Sequence, residues 1–170
     1  YFQAKKLRGA LQRNTLDILQ ATADVQPLVA ARLPAPASEP VLAALQKGEL
    51  PAVATAPALD ANVKSALTAI ESQKPETEIV ALLETVKDTN LAEALTAAKD
   101  HATIFDDATK PVNQTIDQLE KLLTAGDKAL TRDFTVARLR YTAARYDAEA
   151  RLNQTIANLV HETGFNSTYQ

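Results

Sequence analysis

The sequence predicts an all-α protein: an elongated antiparallel helical bundle with a long helix near each end and about five shorter helices or turns between them. Three observations carry that expectation. Apolar residues recur at steps of three and four along most of the 170-residue chain. Glycine occurs only four times in an alanine-rich sequence. No run alternates with period two in β-branched residues, so no strand is expected.

The organising element is a helix expected from Asp127 to Thr163. Asp127 follows Gly126 and can accept hydrogen bonds from the first free N–H groups, where its charge also suits the positive end of the helix dipole. Neither Gly nor Pro then intervenes until Gly164, which stands where a left-handed stop residue is wanted. Such a rod would be roughly 55 Å long. Leu130, Phe134, Ala137, Tyr141, Ala144 and Ala148 form a coiled-coil-like seam, which Leu152, Ile156, Leu159 and Val160 continue at a straighter spacing.

Its expected partner runs from Ala4 to Leu33, with Leu7, Leu11, Asn14, Ile18, Ala21, Val25 and Leu28 at the same four-and-three spacing. Pro27 should kink or end that ladder near Asp24 to Gln26. Pro34, Pro36 and Pro40 break the helix, after which Ser38 and Glu39 open a short one that stops at Gly48. Residues 49–59 read as an extended, apolar connection. Asp60 caps the next helix, Pro75 with Glu76 and Glu78 opens another, and Asn90 with Glu93 has the spacing of a capping box. Asp106 and Asp107 are expected in a turn before Pro111, which opens a last short helix closed by Gly126.

Residues 4–164 are expected to form a single domain, with 1–3 a tag remnant and 165–170 a tail. The absence of a starting Met after that remnant suggests a piece of a longer or processed protein, consistent with removal of a signal peptide or anchor. Only 5% of residues are aromatic against 46% hydrophobic, so Ala, Leu, Val and Ile must fill the core. Net charge is −3 overall; by segment it is +2 for 1–57, −6 for 58–126 and +1 for 127–170. Without a clustered positive excess, nucleic acid is not an expected partner.

The chain has no Cys, which removes disulfides, zinc-thiolate sites and a thiol nucleophile. His101 and His161 lie in no ligand motif; Asp100, His101, Asp106 and Asp107 form the one cluster with possible metal ligands, but Asp106 and Asp107 are expected in the turn before Pro111, and no Glu-x-x-His pair of a di-iron bundle occurs. The glycines are isolated, so no phosphate loop exists, and no serine has a nucleophile-elbow context. No enzyme, catalytic residue, metal or cofactor is therefore expected. The candidate ligand-binding surface is Arg138, Arg140, Tyr141, Arg145 and Tyr146, whose guanidinium and phenol groups could grip a carboxylate or an aromatic partner. The arginines also suit a solvated face paired with the acidic middle helices, and Tyr141 also falls on the apolar seam.

The run from Gly126 to Asn166, with Ala137-Arg138, Tyr141 and Thr163-Gly164, resembles the long barrel helices of TolC-type outer-membrane efflux channels over less than a quarter of the chain. The Pro-rich connection and short acidic helices depart from that family's pattern, and the resemblance assigns no residue a role. The expected function is a non-enzymatic extracytoplasmic domain of the receptor or sensor type that recognises a protein or small ligand. The alternative is a structural, assembly or adhesion protein acting through helix pairing, including a secretion- or efflux-associated component. A homodimer is one permitted assembly, and a membrane enters only through flanking segments. The expected location is the periplasm or cell surface, with the cytoplasm left open.

Overall fold

The computed structural model describes residues 6–15, 17, 24–56 and 58–162 in full, and the backbone course of 2–5, 16, 18–22 and 163–169. The protein is all-helical, with six α-helices and no strand among the described residues: α1 (Phe2–Thr22), α2 (Glu39–Lys47), α3 (Ala61–Glu71), α4 (Glu76–Leu83), α5 (Asp88–Lys121) and α6 (Lys128–Tyr169). None of these helices is long and apolar enough to cross a membrane, as judged on the described residues. The chain divides into two compact units, one of residues 1–53 with 105–150, the other of 54–104 with 151–170.

In the first unit, Leu28, Val41, Ala44, Leu45, Val112, Ile116, Leu119, Phe134, Ala137 and Tyr141 form the buried core. The second has its own, made by Val63, Ala66, Leu67, Leu83, Val86, Leu91, Ala94 and Leu159. Small aliphatic side chains dominate both, as the shortage of aromatics requires.

Several local signals act as read. Asp60 accepts the N–H groups of Asn62 at 3.1 Å and Val63 at 3.3 Å, which starts α3. Asp127 accepts the Leu130 N–H at 3.0 Å at the start of α6. Gly48 ends α2 at φ 67°, with its own N–H on the Ala44 carbonyl and the Glu49 N–H on that of Ala43.

Four boundaries depart from expectation. The first helix stops at Thr22, not Leu33, leaving only a 3-10 turn at Ala30–Arg32 beyond it. Pro27 has no N–H and disfavours helical backbone at Gln26. The freed backbone groups bond across to α6 instead: the Asp24 carbonyl accepts from Arg132 at 2.6 Å and the Gln26 N–H donates to Asp133 at 3.1 Å. Asn90 does not cap a helix, because Asp88 already opens α5.

Pro111 opens no new helix, and Asp106 and Asp107 lie in no turn; all three fall inside the continuous α5. A proline there costs about 3 kcal/mol. A break would take Val112, Ile116 and Leu119 out of register with Phe105, and each such buried side chain contributes about 1.5–3 kcal/mol. Burial therefore outweighs the lost bond. Last, α6 continues through Gly164 to Tyr169, since one glycine costs a helix only about 1 kcal/mol and does not by itself end it.

The seam expected on α1 is also corrected. Leu7 and Leu11 are 62% and 57% exposed and Asn14 is exposed, whereas Gly9 is buried. A Cβ on Gly9 would stand 2.9 Å from Asp147 Oδ1 and 3.5 Å from Tyr146 Cβ, so glycine permits close approach of α1 to α6. Arg13 pairs with Asp147 beside it. The positions expected at Ile18 and Ala21 have side chains outside the described residues.

Candidate functional site

On α6 the residues Asp133, Val136, Ala137 and Arg140 fall at steps of three, one and three and so share one face. Opposite them lie the irregular segment after α1, contributing Gln26 and Leu28, and the end of α2, contributing Leu45 and Gln46. Together they line a cleft of about 440 Å³ within the first unit. That volume lies within the ~300–1,000 Å³ typical of small-molecule sites.

Asp133 anchors one wall. Its side chain is fully buried, and its carboxylate accepts from the Gln26 N–H at 3.1 Å, Arg32 at 2.8 Å and Arg132 at 3.3 Å. Burial alone would push its carboxyl up. The hydrogen bonds from Arg32, Gln26 and Arg132, with the charge of Arg32, outweigh that and hold it below the usual carboxylate range. This buried anion is therefore committed to positioning the 24–32 segment and has little left to offer a ligand.

Arg140 forms the other polar wall. One terminal nitrogen, Nη2, donates to the carbonyls of Leu45 at 2.7 Å and Gln46 at 2.8 Å. With the two backbone bonds at Gly48, this satisfies four successive carbonyls at the end of α2. Its aliphatic stem crosses Gly48 so closely that a Cβ there would stand 3.0 Å from Arg140 Cγ. Its Nε is buried without a hydrogen-bond partner, and among the described residues no carboxylate pairs with it. A guanidinium with no carboxylate partner among the described residues, on a cleft whose Asp133 is already neutralised, suits an anionic acceptor.

The other four sequence-predicted residues go elsewhere. Arg138 pairs with Asp117 and Glu120 of α5, the solvated pairing with the acidic region. Arg145 lies 5.0 Å over the Tyr146 ring centroid. Tyr141 is 2% exposed inside the core, where burial pushes its phenol up to about 12, with Arg145 opposing and Glu149 adding to the shift. Of the five, the structure thus places Arg140 on the cleft. Sequence reasoning missed Asp133, Arg32 and Gln26, because an Asp on a helix carries no mark of burial when the partners that cover it, Gln26 and Arg32, lie a hundred residues away.

The Tyr141 hydroxyl is buried with no hydrogen-bond partner in the described structure. Tyr141→Phe is therefore expected to raise stability by about 1 kcal/mol, since it removes an unmatched polar group without opening a cavity. Urea denaturation checks this; an unchanged or lower midpoint would mean that the hydroxyl has a partner, such as a buried water.

Among the described residues no group of three His, Asp or Glu side chains is placed to hold a metal ion. Fold and cleft together define the class of protein: all-helical, with a part-polar cleft walled by an arginine and a saturated aspartate. Comparison with protein-family models, with curated proteins and with solved structures finds no match to this chain.

Proposed function

We propose that the chain is a non-enzymatic ligand-recognition domain of the receptor or sensor type, acting outside the cytoplasm in the periplasm or at the cell surface, and that the cleft beside Arg140 receives a small carboxylate with an apolar body. The single observation that carries this reading is a cleft of ligand size walled by the Arg140 guanidinium, which no carboxylate among the described residues neutralises. Leu28, Leu45 and Val136 supply apolar surface for the rest of such a molecule. The first and last helices form an antiparallel pair in this proposal, supported by Gly9 lying against Asp147 while Gln26 lies against Asp133. A cysteine-free composition is compatible with the proposed location.

The test is thermal denaturation of the full chain with acetate, hexanoate and benzoate at constant ionic strength. The midpoint is expected to rise with the apolar size of the carboxylate, and the rise to vanish in Arg140→Leu measured against its own unliganded baseline. No rise with any of the three would overturn the carboxylate reading. One observation favours a second reading, assembly through helix pairing: Leu7 and Leu11 stand exposed four residues apart on α1. A dimer that strengthens with concentration and is lost in Leu11→Glu, with no carboxylate response, would select it.

A further inference from the structure

The second unit contains a smaller cavity of different character, independent of the Arg140 cleft. Leu59 from the extended connection, Ala97, Ala98 and His101 from α5, and Leu152 and Thr155 from α6 are among its walls, and its volume is about 160 Å³. The alanines leave this space open: residues 97, 98 and 101 sit within one turn of α5, where two larger side chains would fill it. An apolar cavity of roughly 150 Å³ in a helical protein stays dry and admits one benzene ring. The present pocket has that volume and opens on one side to solvent, so it has room for a single ring.

Its polar equipment is sparse and specific. The Thr155 hydroxyl donates to the Arg151 carbonyl at 3.2 Å, so toward the cavity it can only accept. His101 is half-buried on the wall and makes no hydrogen bond or ion pair among the described residues. A neutral imidazole offers one acceptor and one donor nitrogen. In this largely apolar pocket His101 is the one side chain that can both donate and accept, which favours a ligand with one hydroxyl, because a second polar group would find only the Thr155 oxygen beside Ala and Leu.

We propose that this cavity binds a free single-ring aromatic molecule carrying one hydroxyl, a phenol, with its ring against Leu59, Ala98 and Leu152 and its hydroxyl donating to His101. The reading does not depend on the first cleft or its carboxylate.

The test uses phenol itself, titrated into the full chain while the imidazole C–H signals are followed by NMR. The chain has two histidines, and the exposed His161 serves as the internal control. A saturable shift of the His101 signal with His161 unmoved is expected, and benzene should bind several-fold more weakly. Ala98→Leu should abolish the shift while the helical circular dichroism is retained; if that variant does not fold, Ala97→Leu takes its place. His101→Leu should bind phenol no better than benzene. No saturable shift at His101, an equal shift at His161, undiminished binding in a folded filling variant, or equal binding of benzene by the parent protein would each overturn the proposal.

Discussion

Asp133→Ala is expected to destabilise the protein by about 3 kcal/mol, near the lower end of what removing one partner of a buried ion pair costs. The side chain is wholly out of solvent, yet its guanidinium partners, Arg32 and Arg132, are 30% and 38% exposed. Once released they can turn to water, which keeps the loss below that of a trapped buried charge. The Gln26 N–H cannot turn away so readily, and losing its acceptor costs about 1–3 kcal/mol. Asp133→Asn should fall between, because an amide oxygen can still take the Gln26 N–H but gives Arg32 no charge.

The same residue sets a pH dependence. Its carboxyl in the folded protein lies below the unfolded value of 3.8. The stability it contributes is therefore fully present above that value and is lost as pH falls through the lower folded value. Urea denaturation as a function of pH should show the parent losing part of its stability below about pH 4, with that part missing from Asp133→Ala. Parallel acid profiles for the two proteins would show that Asp133 has no such role. Since Asp133 holds the 24–32 segment that walls the cleft, carboxylate binding should weaken in the same variant.

How much of this was legible in the sequence follows the range of each interaction. Caps such as Asp60 and Asp127 and the stop at Gly48 act within a few residues, so their chemistry is written beside them. Pro111 misled because its local preference opposes burial on both sides of it, and burial outweighed it. Leu7 and Leu11 misled in the opposite way: their spacing fits a seam, but Gly9 lets α1 approach α6 by a neighbouring face. Arg140 could be named from its setting in a long helix, though not its task, because the carbonyls it closes belong to residues 45 and 46. Asp133 was invisible for the same reason, since Gln26 and Arg32 reach it only when the chain after α1 folds back.

Phe134→Ala is expected to have the largest effect of any single change considered, about 4 kcal/mol, within the range for deleting a buried phenyl ring. Phe134 is 0% exposed and belongs to the core cluster with Leu45, Ile116 and Leu119. Few neighbours could close the void, because small residues such as Ala44 and Ala137 line the same cluster and have no side-chain length with which to reach across. Phe134→Leu keeps most of the volume and should cost about 1–2 kcal/mol, so the ratio of the two variants separates cavity formation from loss of the ring as such. For a chain of this length the Ala variant should melt roughly 8–16 °C below the parent by circular dichroism. A drop of only a degree or two would mean that the position relaxes freely. Phe134 and Asp133 are consecutive on α6 yet both buried, one in the apolar core and one beneath the loop after α1. This stretch of helix is therefore covered on two sides, and a single-seam reading counts only one of them.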